Sequence, residues 1–232
     1  MGCGVRCRKF LGVHRDARVD RVARPLCDPR TINPLYGDDS FVSMKLRYQR
    51  RGYGPKLRAP KMEDLPGLHA LYADSRTWWN VPGGPYLEQE RTEALLRSWI
   101  EDWKEHDLGY WAISDKSGAF IGVGGIKLCG GAWNVLCCIR TKYWHLGYAT
   151  YAVRCALAVA RCKNPKIPVF ISTPANNYAT LLIAERLGFT VIRRDVEPED
   201  TSISRRIYAD RPVTDEALIN YLTARQTMPS LT

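Results

Sequence analysis

The sequence predicts an α/β domain around a mixed sheet, and three observations predict it. From residue 110 onward, β-rich runs and helical stretches follow in the order β, β, β, α, β, α, β, β, which one mixed sheet flanked by helices accommodates. The stretch 147–162 is apolar on nearly every side, broken mainly by Arg154 and Arg161, as a helix enclosed by a sheet and a second surface must be. With 45% apolar residues, 7 Trp and 12 Tyr in 232 residues, the chain holds enough apolar material for one sizeable core. It has no run of about 18 apolar residues, so no membrane-spanning helix is expected.

Leu57 to Ala59 reads as a short strand. Glu63, Asp64 and Pro66 open a first helix, whose apolar face is Leu65, Leu68, Leu71 and Tyr72. Trp78, Trp79, Pro82, Gly83, Gly84 and Pro85 read as an irregular loop. A second helix is expected from Tyr86 to His106, with Leu95, Leu96, Trp99 and Trp103 on one stripe. Tyr110–Ile113 and Phe120–Lys127 form a hairpin about the turn Asp115–Gly118, and Gly130-Gly131 turns the chain into a strand from Val135 to Arg140. The enclosed helix follows, then a strand from Ile167 to Thr173. Proline at 168 within that strand is tolerable near a break in pairing. A helix from Asn177 to Leu187, strands Phe189–Arg193 and Arg205–Ala209, and a closing helix Asp215–Ala224 complete the domain.

The net charge of +10 suggests nucleic acid until it is divided along the chain. Residues 1–62 hold 15 Lys/Arg against 5 Asp/Glu, and the rest is balanced at 19 against 19. Residues 1–43 show little periodicity and read as a basic, flexible leader; residues 44–232 read as the single domain, with Met44 an alternative translation start. The leader can contact RNA, DNA or anionic lipid weakly and without sequence preference. A nucleic-acid-binding domain would instead spread its cations over a folded face. No CxxC pair occurs among the eight cysteines, and Cys3, Cys7, His14 and Cys27 match no zinc module, so no metal is expected. Cys155 and Cys162, seven apart on the enclosed helix, read as small buried apolar groups. Reduced thiols and the lack of a signal peptide fit the cytoplasm.

The segment Trp144-His145-Leu146-Gly147-Tyr148-Ala149-Thr150 joins a strand to the enclosed helix. The first N–H groups of a helix lack partners within it, and the helix dipole adds positive potential, so such a turn can cradle an anion. Gly147 permits close backbone approach and Ala149 keeps the first turn small. The turn is neither a Walker loop nor a GxGxxG turn.

In this context the chain resembles the Gcn5-related N-acetyltransferases (GNAT superfamily), within them the ribosomal-protein alanine N-acetyltransferase-like group, over residues 57–211. Tyr143 to Ala152 is similar to that group's Tyr-Trp-Gly-Lys-Gly-Tyr-Ala-Thr-Glu-Ala signature. Asn177-Tyr178-Ala179-Thr180 and Glu185-Arg186-Leu187-Gly188-Phe189 resemble its Asn-x-x-Ser helix and Glu-Lys-Leu-Gly-Phe ending. Tyr110 to Ile113 with Phe120 to Gly122 resembles its central hairpin. The sequence departs at His145 and Leu146, which replace a glycine and a basic residue, at Tyr151 for a glutamate, and at Asn134 where many relatives carry a glutamate.

The resemblance implies a mostly antiparallel twisted sheet, splayed between its fourth and fifth strands, with the coenzyme's pantetheine arm between them. It implies acetyl-CoA as acyl donor, no metal, and direct attack by a primary amine. Ile139 would pair with the arm, Trp144, His145, Leu146, Gly147, Tyr148, Ala149 and Thr150 would surround the pyrophosphate, and Asn177 would reach the arm or the adenosine. Thr180, or its neighbour Tyr178, would protonate the departing thiolate; capping of the helix is the alternative role for Thr180. No base is marked: His145 would sit beside the phosphates, which favours a binding role, and a water chain to bulk is the alternative. Trp78, Trp79 and Trp111 are candidates for the acceptor floor. The acceptor, a protein N-terminus or a small amine, stays open, as does monomer or homodimer. A non-catalytic acyl-CoA sensor and a nucleic-acid-associated protein are the alternative functions.

Overall fold

The computed structural model describes residues 54–78, 84–196 and 204–226. The basic leader, Met44, Trp79, Pro82 and Gly83 lie outside the described residues, as do Cys3, Cys7, His14 and Cys27. Seven strands form one sheet: β1 (Lys56–Arg58), β2 (Tyr110–Ser114), β3 (Phe120–Cys129), β4 (Ala132–Ile139), β5 (Val169–Pro174), β6 (Thr190–Val196) and β7 (Ser204–Ala209). The helices are α1 (Leu65–Tyr72), the one-turn α2 (Ser75–Trp78), α3 (Gln89–His106), α4 (Tyr148–Lys163), α5 (Tyr178–Arg186) and α6 (Asp215–Gln226).

The strand order is β1-β2-β3-β4-β5-β7-β6, antiparallel at every junction except β4–β5. Residues alternate between the two faces. On one face Trp111, Trp133, Val135 and Ile171 pack under α4 and α5, against Val153, Ala156, Leu157, Leu181 and Ala184. On the other, Tyr110 and Val123 meet α1 and α3 through Leu68, Tyr72, Leu95 and Trp99. Phe170 and Ile207 meet α6 there through Tyr221.

Several boundaries differ from the sequence expectation. Trp78 closes α2 instead of lying in a loop, and it is buried against Tyr72 and Tyr86. Tyr86 precedes α3 and its ring packs inward, so the helix starts three residues later than its apolar pattern suggests. Strand β4 begins at Ala132, because the tight Gly130-Gly131 turn lets pairing with β3 run to Cys129↔Ala132. Pro168 lies just before β5, where its carbonyl accepts the Trp133 N–H at 2.9 Å and no N–H is needed. Cys155 is buried as expected, but Cys162 is exposed, since the last turn of α4 runs past the sheet. Trp111 lies in the core under α4, not on the face of α1 and α2.

Candidate functional site

Strands β4 and β5 pair over two positions only, Trp133↔Val169 and Asn134↔Phe170. Both strands continue, to Ile139 and Pro174, without pairing to each other again. Burial changes at the same place: residues 132–135 are buried, while Leu136, Cys137 and Cys138 are half-buried. A wedge-shaped gap therefore opens in the middle of the sheet.

The backbone of β4 faces this gap in a register that can be read off. Arg140 N–H donates to Ile121 C=O at 2.9 Å, which makes that pair hydrogen-bonded. Antiparallel alternation then turns the N–H and C=O groups of Ile139 and Cys137 away from β3, toward the gap. The Ile139 carbonyl accepts the Trp144 indole N–H at 2.6 Å, so Trp144 ties the turn back onto the strand end. The Ile139 N–H and the backbone groups of Cys137 are left facing the gap, and no described strand pairs with them on that side. Of the Ile139 backbone groups, the carbonyl is engaged by Trp144 and the N–H points into the gap.

At the mouth of the gap, Gly147 sits at φ +81° and begins α4, whose ladder starts with Tyr151 N–H to Gly147 C=O at 3.0 Å. By helix geometry the N–H groups of Tyr148, Ala149 and Thr150 have no acceptor within the helix and point out of its end. His145 holds φ +61°, one of two described non-glycine residues in the left-handed region. That is the position at which the family signature carries glycine, and a side chain is tolerated there only at a cost in backbone strain. Leu146 and Trp144 are exposed at this turn.

On the β5 side, Asn177 caps α5: its side-chain oxygen accepts the Thr180 N–H at 3.2 Å. This engages the side-chain oxygen of Asn177 in capping α5. Thr180 is half-buried on the first turn, and Tyr178, at its start, is exposed. The structure therefore brings the residues of 144–150 and Ile139 together at one gap and sets Asn177, Tyr178 and Thr180 after the end of its other strand.

Asn134 is engaged as well. Its amide donates to the Tyr110 hydroxyl at 2.6 Å and accepts from the Tyr221 hydroxyl at 2.7 Å. Burial pushes both tyrosine hydroxyls well above their ordinary pKa, so both stay protonated at neutral pH, Tyr110 accepting from Asn134 and Tyr221 donating to it. Burial likewise pushes the Cys137 thiol up to about 12 and Cys138 further, which keeps both protonated beside the gap. None of these groups is a base at neutral pH. Leu136 and Cys138 face the aromatic cluster of Tyr72, Trp78 and Tyr86, so the α1–α2 side of the gap is apolar. Asp74, between α1 and α2, is held below the usual carboxylate range by hydrogen bonding to Arg76 and reaches Thr141 at 3.5 Å. Sequence reading missed the meeting of Tyr110 and Tyr221 at Asn134: tertiary packing brings both hydroxyls there, and no local pattern pairs either residue with Asn134.

The family model for the acetyltransferase (GNAT) domain matches residues 56–190. The chain belongs to this family. Its sheet, with the β4–β5 gap, is that of the GNAT fold. The solved structure of the ribosomal L7/L12 alpha-N-protein acetyltransferase RimL in complex with coenzyme A is similar, with a TM-score of 0.59 at 17% identity, covering 70% of this chain and 96% of that one. The spermidine N-acetyltransferase of Vibrio cholerae, solved with CoA and spermine, gives 0.54 at 16% identity, covering 71% and 98%. An acetyltransferase from Agrobacterium tumefaciens gives 0.56 at 22% identity, covering 68% and 91%. No curated protein matches the sequence. Among the described residues of this GNAT domain, no helix is long and apolar enough to cross a membrane, and no three His, Cys, Asp or Glu side chains group as a metal site.

Proposed function

We propose that this GNAT domain transfers the acetyl group of acetyl-CoA to a primary amine by direct attack. The observation that carries the reading is the β4–β5 gap, which ends beside the free N-terminus of α4. The pantetheine arm lies in the gap against the Ile139 N–H. The pyrophosphate lies against the N–H groups of Tyr148, Ala149 and Thr150, with Gly147 allowing close approach and Trp144, His145 and Leu146 forming the turn around it. The missing cation at Leu146 lowers affinity without removing the backbone contacts.

Chemistry requires a neutral amine, a polarised thioester carbonyl and a proton for the departing thiolate. With Asn134 engaged by two tyrosines, the amine loses its proton to water reaching the gap. Thr180 is the proposed donor to the thiolate, and Tyr178 the neighbour that replaces it if Thr180 serves only the helix. The named neighbours acetylate a ribosomal protein N-terminus or spermidine, and both classes belong in an acceptor screen. The domain acts as a monomer or homodimer in the cytoplasm, and the basic leader contributes at most weak contact with nucleic acid.

Calorimetric titration with acetyl-CoA, followed by thiol release across amine acceptors, tests the reading. Gly147→Glu places a side chain and a negative charge at the pyrophosphate, and binding should be lost in a protein that stays folded by circular dichroism. Unchanged affinity in that variant rejects the assignment. Tight binding without transfer to any amine supports the acyl-CoA sensor instead.

A further inference from the structure

The gap forks at one residue pair, Asn134 on β4 and Phe170 on β5. A parallel ladder of two positions is weak by itself, and its end can fray or extend by a residue. One side chain touches both members of the pair. The Tyr221 hydroxyl donates to Asn134 Oδ1 at 2.7 Å, and the Tyr221 ring meets the Phe170 ring edge-on at 4.6 Å between centroids. Tyr221 is the one fully buried residue of α6, with Leu218, Leu222 and Ala224 partly buried beside it.

Its position is anchored from behind. A Cβ on Gly130, in the β3–β4 turn, would collide with the Asn220 carbonyl and meet Tyr221 N at 2.7 Å, so the α6 backbone lies directly on that turn. The Cys129 thiol approaches the Tyr221 carbonyl at 3.8 Å. Across the network, Asn134 Nδ2 donates to Tyr110 Oη at 2.6 Å, which leaves the Asn134 carbonyl oxygen for Tyr221. The strand face, the hairpin turn and the closing helix thus converge on the fork.

We infer that Tyr221 is a positioning residue for the coenzyme slot: by clamping Asn134 and Phe170 it sets where β4 and β5 part, and so the depth to which the slot opens. This rests on the acetyl-CoA reading above. The clamp acts on the pantetheine half of the ligand, because the nucleotide half is held at the start of α4, beyond the far end of β4.

Tyr221→Phe keeps the ring on Phe170 and removes the hydroxyl, and with it the bond to Asn134 and its weaker contact with Ser172 on β5. Calorimetry on the full chain compares acetyl-CoA with adenosine 3′,5′-diphosphate, which lacks the pantetheine arm. The expected result is a roughly tenfold weaker acetyl-CoA affinity, the size of one buried hydrogen bond, with nucleotide affinity changed by less than about twofold. Hydrogen exchange in the free protein gives a second readout, in which the Trp133 N–H, bonded to Pro168 across the fork, exchanges faster in the variant. A lower melting temperature with unchanged acetyl-CoA affinity, or equal losses for both ligands, overturns the proposal. Unchanged exchange at Trp133 overturns it too, even if wild type binds neither ligand. That last binding result alone rejects the acetyl-CoA reading.

Discussion

His145 shows how a single residue can disturb a motif while leaving the backbone path intact. It occupies the left-handed region at φ +61° in the turn before α4, where a β-carbon is crowded by the following carbonyl. His145→Gly should release about 1 kcal/mol of that strain, which for a domain of this size raises the melting temperature by roughly 2–4 °C. A melting temperature that stays level or falls would show that the turn is not strained. Thr180 poses a different question, since its backbone N–H serves the Asn177 cap while its hydroxyl is the proposed acid. Thr180→Val keeps the shape and the cap, so turnover should fall by up to about a hundredfold with acetyl-CoA affinity unchanged. Equal turnover would leave the proton to Tyr178 or to water, and Tyr178→Phe distinguishes those two.

Among the elements, the short link between β4 and α4 decides the geometry of the mouth. The chain leaves the strand at Ile139, makes one turn of 3-10 helix at Thr141–Tyr143 and re-enters helix at Tyr148. The Trp144 indole bond to the Ile139 carbonyl closes this loop upon itself at 2.6 Å. Trp144→Phe removes the donor and leaves a carbonyl without its partner beside the gap, a loss of about 0.5–1.5 kcal/mol. The expected outcome is a several-fold weaker acetyl-CoA affinity with a melting temperature lower by only about 1–6 °C, because Trp144 is partly exposed and lies outside the core clusters. Wild-type affinity in this variant would show that the turn keeps its shape without the indole. Trp78, the last residue of α2, and Tyr86, three residues before α3, stack on each other at 5.8 Å and so join the two elements through their rings.

For the molecule as a whole, the division of charge is the feature with a direct experimental consequence. The excess of +10 lies in residues 1–62, and the matched family domain begins at residue 56. Residues 1–43 are proposed to be dispensable. A protein starting at Met44 should melt within a few degrees of full length and bind acetyl-CoA equally well, while salt-sensitive binding to RNA should drop. A large loss of stability or of coenzyme affinity would show that the leader packs on the domain.

The strand and helix order was legible in sequence because period-2 and period-3.6 apolar patterns are local properties, and the Gly147 turn was legible because its neighbours matched a family signature residue by residue. The α/β class followed from the apolar patterns, and the place of the gap from the family resemblance. Sequence alone did not show that β4 starts at Ala132, that Asn177 caps α5, or that Asn134 lies between two tyrosine hydroxyls. Those outcomes depend on which backbone and side-chain polar groups meet after the sheet closes. Tyr110 and Tyr221 stand 24 and 87 residues from Asn134, so no local pattern announces the contact. Burial then makes each of those hydrogen bonds obligatory, because an unpaired polar group in the core costs more than the bond itself returns.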